Sequence, residues 1–282
     1  MKSKSFNPAC TDFFRNLGEP TLSSTDKMRR MQERCVARND PNTFYQVVDH
    51  RPEPKVVWAH NTRAHFNAGE FSFNTFFGAL HPFWRPIYVG MIVPRYEFFN
   101  SFHSGNSKRD LILTLNVPLR DKSNKYYWYS EVSIPGTFDS RGAVVESLGE
   151  FHRLSEFDRM IPALQRLTHK GAPVKAFDKQ IKTKLSTLLD KSLRELLSPA
   201  HYKLLRAYRI LLLRKEDSSR RGVAKSLGLS LQALDKRNVR LLDQASFAFP
   251  AAVLTSVVHF ARFLNDFSGG SDAFFRRQVN LA

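Results

Sequence analysis

VAKSLGLSLQALDKRNVRLL, residues 223–242, is compatible with two kinds of helix pair. One is an amphipathic pair in an ordinary bundle. The other is a helix–turn–helix whose second helix lies in a DNA groove. A helix–turn–helix crosses its two helices steeply through a tight turn. The first helix therefore needs a small residue where the second passes, and the turn favours glycine. Ala224 is the small residue and Gly228 the turn. Val223, Leu227 and Leu229 surround them, Leu234 anchors the second helix, and Ser230 is a natural N-cap for it. The exposed face of that helix then offers Gln232, Asp235, Lys236, Asn238 and Arg240, side chains suited to base edges and phosphates. Bundles carry leucine-rich helices with Ala and Gly as well, so the pattern alone leaves both alternatives open.

Charge separates them. The chain carries +17 over 282 residues. Residues 175–240 hold 17 Lys/Arg against 6 Asp/Glu, a net of +11, whereas 1–174 net +6 and 241–282 net 0. An excess concentrated around the quoted stretch favours a polyanionic partner, double-stranded DNA first. Downstream, FAFPAAVLTSVVHFARFLNDF carries an apolar stripe of Val253, Leu254, Val257, Val258, Ala261 and Leu264, with Phe260 beside it. The stripe either completes the domain core or forms a twofold contact, since helix–turn–helix proteins commonly bind DNA as dimers; a homodimer is expected.

Upstream, Pro162, Gly171 and Pro173 mark a boundary. A helix follows from about Val174 to Leu196, with Ile181, Leu185, Leu188, Leu189 and Leu193 on one stripe. From Asn42 to about His152 the texture is of β type. FYQVVDH and KVVWAH flank RPEP as a hairpin. FSFNTFFGALHPFW places Phe73, Phe76, Phe77 and Leu80 at helical spacing and stops at Pro82. DLILTLNVPL, KYYWYSEVSI and AVVESLGEFHRL read as three strands, and on the second of these Tyr127, Tyr129, Glu131 and Ser133 share one face. TLSSTDKMRRMQERCVA reads as a helical lead-in. The fold class is α+β: an antiparallel sheet with helices on one face, then an all-α domain. The expected divisions are a lead-in over 1–41, a sensor domain over 42–165, a helical linker over 166–196, a helix–turn–helix domain over 197–267 and a flexible tail over 268–282.

The order strand–strand–helices–strand–strand–strand resembles a PAS sensor domain. ALHPFW is similar to the short turn after the first helices of that family, and LNVPLRDKSNKYYWYSEVSIPGTFDSRGAVVES to its last hairpins. The C-terminal stretch resembles the LuxR-type DNA-binding domain: LSPAHYKLLRAY at Leu197–Tyr208 matches its opening, and VAKSLGLSLQAL at Val223–Leu234 its central pattern. Gly222 and the longer connection RILLLRKEDSSRRG depart from that family's usual form. The resemblance implies DNA-facing positions at Gln232, Asp235, Lys236 and Arg240, with phosphate contacts near Ser230 and Arg237.

No Gly-rich phosphate loop, HExxH, CxxC or nucleophile elbow is present, so catalysis is not expected. Cys10 and Cys35 are the only cysteines, and no apolar run is long enough to span a membrane, which together fit a bacterial cytoplasm. No metal site is expected: His60, His65, His81 and His103 read as separate histidines rather than as a metal or haem set. Phe66, Phe73, Phe77, Trp84, Tyr88 and Trp128, with Phe76, either line a ligand cavity or fill a core. The cofactor is unknown, a haem or flavin being one alternative. The leading expectation is a transcriptional regulator in which a sensor for a small molecule or protein is coupled to a DNA-binding unit. The rival is an adaptor whose C-terminal helices dock a partner protein.

Overall fold

The computed structural model describes residues 12–51, 54–67, 70–102, 108, 110–157 and 166–269. The chain divides into two compact units. The first runs through Glu156 and resumes as far as Ile181; the second takes the chain from Lys182 onward.

The first unit is built on a seven-stranded sheet. Its elements are α1 (Leu22–Arg38), β1 (Thr43–Asp49), β2 (Lys55–His60), α2 (Phe73–Ala79), α3 (Trp84–Gly90), α4 (Ile92–Ser101), β3 (Leu111–Arg120), β4 (Tyr126–Phe138), β5 (Val144–Glu156), β6 (Arg166–His169) and β7 (Ala172–Pro173). The strand order is β2-β1-β5-β4-β3-β6-β7, and every neighbouring pair is antiparallel. The FYQVVDH/KVVWAH hairpin and the three later strands form where period-2 patterning places them.

Along β4 the alternation is visible in burial. Tyr129, Glu131 and Ser133 are buried, while Ser130, Val132 and Ile134 are half-exposed. Aromatic rings fill the space between this face and α2. Phe44 of β1 stacks on Phe151 of β5 with centroids 4.6 Å apart, and Phe76 meets Phe151 edge-on at 5.3 Å. Trp128 is the exception to the alternation: the pattern sets it opposite to Tyr129, yet it is fully buried, with Trp84 packed edge-on against it at 5.8 Å.

Two features correct the sequence reading within an unchanged α+β class. Met28 and Cys35 of α1 pack with Tyr45, Val47 and Leu148. These strand residues alternate with Phe44, Gln46 and Phe151, so α1 covers the face opposite α2. The helices are therefore not confined to one face, and the lead-in is part of the sheet's packing. Residues 166–173, where the sequence suggests a boundary, instead supply β6 and β7, with β6 paired to β3 from Leu111↔His169 to Thr114↔Arg166.

α5 (Lys175–Leu196) follows, close to the range that its apolar spacing predicts. Phe177, Ile181, Leu185, Leu189 and Leu193 are buried and Leu188 is half-exposed. The second unit continues with α6 (Pro199–Leu213), α7 (Arg220–Leu227), α8 (Leu231–Ser246), a single 3-10 turn at Ala251–Val253 and α9 (Val257–Gly269). Ser198 caps α6 by accepting from the His201 amide at 3.3 Å, with Pro199 in the first turn. The α9 stripe is spent inside this unit. Phe260 is fully buried against Phe249 at 4.8 Å, so it belongs to the stripe's centre rather than its side, while Leu254 and Val258 are half-exposed. Asn265 both accepts from Arg209 Nε at 2.9 Å and donates to the Arg209 carbonyl at 3.1 Å, which fixes α9 to α6. The expected tail lies, from residue 270 onward, outside the described residues. Among the described residues no helix is long and apolar enough to cross a membrane.

Candidate nucleic-acid interface and a polar-lined cleft

α7 and α8 are two helices joined by a short turn at Gly228–Ser230. Ser219 caps α7 by accepting from the Gly222 amide at 3.2 Å. Gly228 ends that helix with φ +63, a left-handed conformation in which a side chain is strained. The Leu229 amide then reaches back to the Ala224 carbonyl at 2.9 Å, the six-to-one bond of a Schellman ending. Ser230 caps α8 by accepting from the Ala233 amide at 3.2 Å. Val223, Ala224, Leu234 and Leu241 are buried, so the angle between the helices is held by packed apolar residues.

The cations of α8 point away from that core. Gln232, Lys236, Arg237 and Arg240 are exposed. Gln232, Lys236 and Arg240 are four apart and line one row of the helix. None of Lys236, Arg237 and Arg240 has an ion pair or a side-chain hydrogen bond among the described residues. Two residues of the expected reading face are engaged elsewhere. Asp235 pairs with Arg220 at the start of α7. Asn238 is half-buried and donates to the Tyr208 hydroxyl of α6 at 3.1 Å. Its spacing from Gln232, six residues, carries it round toward the core, a turn that a list of polar residues does not reveal.

The departure at Gly222 has a steric cause. A Cβ there would lie 2.2 Å from the Asp217 carbonyl oxygen. The carboxylate of Asp217 accepts from the Ser219 amide at 2.9 Å, so the longer connection folds back tightly over the start of α7.

In the sheet unit a small cleft lies between the sheet and α2–α4. Of the six aromatics expected at a ligand cavity, Phe73, Phe77 and Tyr88 line it. The other three do not. Phe66 packs on Phe44 and Phe71, and Trp84 and Trp128 pack on one another. What sequence reasoning missed is the polar part of the lining: Gln46, His50, Arg95, Tyr96, Glu131, Ser133 and Ser147. Glu131 and Ser133 share a face of β4 by period 2, whereas Arg95 and Tyr96 come from α4 and carry no such signal. Tyr96 Oη lies 2.8 Å from His50 Nε2 and 2.9 Å from Ser147 Oγ, closing a buried triangle. The Tyr88 hydroxyl donates to Glu131 at 3.0 Å, and the Arg95 guanidinium lies over the Tyr88 ring. Burial pushes the Glu131 carboxyl above the ordinary carboxylate value, against Arg95 and Tyr88, which favour its ionised form. Burial also pushes the His50 imidazole down to about 3, so it is neutral at pH 7. Gln46 is 4% exposed, and its Oε1 has no hydrogen-bond partner among the described residues. An acceptor left open in this way suits a ligand that brings an N–H or O–H.

The histidines do not assemble. His65 faces the Tyr129 hydroxyl at 3.0 Å, His81 packs on Tyr126 and His60 on Trp58, while His103 lies outside the described residues. Among the described residues no group of three or more His, Cys, Asp or Glu side chains could hold a metal ion.

No family model matches the chain, and no curated protein matches it. The solved structures that resemble it include the crystal structure of the phage VqmA-DPO complex, 12% identical, covering 89% of this chain and 90% of that one, with a TM-score of 0.29. A superposition at that level carries no functional argument.

Proposed function

We propose that this chain is a DNA-binding transcriptional regulator in which a PAS-like sheet unit senses a small molecule and a LuxR-type helix–turn–helix binds duplex DNA. One observation carries the proposal: the N-capped α8 presents Gln232, Lys236 and Arg240 in a row to solvent, with both cations unpaired. A solvated cation on an ordinary bundle helix commonly finds an i,i+4 carboxylate; here the one carboxylate in the first two turns of α8, Asp235, is held by Arg220. Gln offers a bidentate pair to adenine, and Lys and Arg offer contacts to guanine or phosphate. The capping serine before α6 and the glycine turn before α8 support the LuxR-type reading. The polar-lined cleft supports the sensor half. In this proposal α5 carries the sensor's state onward, and the cleft ligand must bind two arrangements of the chain unequally to have any effect. The α9 stripe is consumed within its own unit, so twofold pairing on DNA would use a different surface.

The test is binding of the full chain to labelled duplex across a salt titration. DNA binding through phosphates weakens linearly in log–log form as salt rises. Binding to a protein partner that is indifferent to salt, with no binding to duplex at 50 mM salt, would overturn the proposal in favour of the adaptor.

A further inference from the structure

The row of polar readers on α8 is interrupted by an aliphatic residue. Val239 is 69% exposed, one residue before Arg240 and three after Lys236. With Gln232 seven residues earlier, it shares the face that the unpaired cations occupy. Asp243, exposed one turn further on, ends the stretch suited to a polyanion. A valine at that place cannot bond a phosphate or the polar edge of a base. The one apolar feature that the major groove offers is the C5-methyl group of thymine. Branching at Cβ holds valine to one rotamer in a helix, so its methyl groups are placed rather than adaptable.

We infer that Val239 is a specificity-determining residue that recognises a thymine methyl group, flanked by the polar contacts of Gln232, Lys236 and Arg240. The inference rests on the DNA-binding reading and adds to it a base identity at one position of the half-site.

The experiment begins with selection of bound duplexes from a random pool by the full chain. Each thymine of the enriched site is then replaced in turn by deoxyuridine, which removes the methyl group and leaves pairing intact. One replacement is expected to weaken the wild-type protein about fourfold, as loss of one buried methyl group should. Val239→Ala should bind the thymine and deoxyuridine sites equally at that position, with an unchanged melting temperature. If no thymine is sensitive to the swap, or if Val239→Ala keeps the same sensitivity, Val239 does not read a methyl group although the chain still binds DNA. Failure to bind any duplex is a separate result: it removes the DNA-binding reading and this inference with it.

Discussion

The amide of Asn238 donates to the phenolic oxygen of Tyr208 at 3.1 Å, tying α8 to α6 across the core of the second unit. Tyr208 is 1% exposed, so its hydroxyl depends on that partner. Asn238→Ala should therefore lower the stability of this unit by about 1 kcal/mol, the ordinary net worth of one buried hydrogen bond. At a temperature where the variant is folded, its affinity for duplex should stay within about twofold of wild type, because Asn238 is not a reader. Denaturant melts and gel-shift titrations measure the two effects separately.

Gly222 and Gly228 should fail for different reasons. Gly222→Ala drives a Cβ into the Asp217 carbonyl, which is backbone and cannot swing away, and should cost about 1–3 kcal/mol. Gly228→Ala meets nothing within 4 Å, and its cost is conformational, about 1–2 kcal/mol for holding φ at +63. Shortening the connection before α7 should rescue the first variant and leave the second unchanged. The readout is the melting midpoint of the C-terminal unit.

The two neighbouring phenylalanines of α2 should also differ. Phe76 is 1% exposed and packs edge-on against Tyr88 and Phe151. Phe76→Ala should cost about 3–5 kcal/mol, as large-to-small changes in a core do. Phe77 is half-exposed, stacks on Phe73 at 5.3 Å and lines the cleft. Phe77→Ala should cost only about 1–2 kcal/mol, roughly half the loss for a fully buried ring, and should alter the response to any cleft ligand. Equal losses of stability would show that the cleft edge is core.

Acid should weaken the sheet unit. His50 and His65 are buried and their imidazoles are pushed down, to about 3 and about 4, burial being the first cause for both. An unfolded histidine titrates near 6.5. Above that pH both states are neutral and nothing is lost. Between about 6.5 and about 4 the unfolded chain takes up protons that the folded one refuses, so stability falls as pH falls, by up to about 1.4 kcal/mol per pH unit for each histidine. Urea melts from pH 7 to pH 5 should show that slope, and His65→Gln should reduce it. A pH-independent midpoint would mean that these side chains take up protons in the fold.

The strands were legible because burial on one face enforces period 2. Tyr129, Glu131 and Ser133 of β4 follow it, whereas β1 is buried on both faces from Thr43 to Asp49. The helical turn was legible because Gly228 and Ser230 act through local backbone chemistry, which needs no distant partner. The rest depends on contacts remote in sequence. β6 pairs with β3 some fifty residues earlier, and a four-residue strand beside Gly171 carries too little pattern to announce itself. Met28 and Cys35 of α1 become core only because Tyr45, Val47 and Leu148 offer them a face. Trp128 is buried where period 2 alone marks an outward position, with Trp84 of another element packed against it. The cleft was half legible: its aromatics stood out by composition, whereas Gln46, His50, Glu131 and Arg95 gather there only in three dimensions.

The most direct test removes the two unpaired cations of α8 together. Lys236 and Arg240 are exposed and make no ion pair among the described residues, so Lys236→Ala/Arg240→Ala should leave the melting temperature unchanged. Duplex affinity at low salt should fall by at least an order of magnitude, at roughly 1–3 kcal/mol for a base contact, and each lost phosphate contact should flatten the log–log salt slope by about one. If the folded double variant binds both its selected site and random duplex with unchanged affinity and unchanged salt slope, α8 is not the DNA-reading helix and the regulator proposal fails.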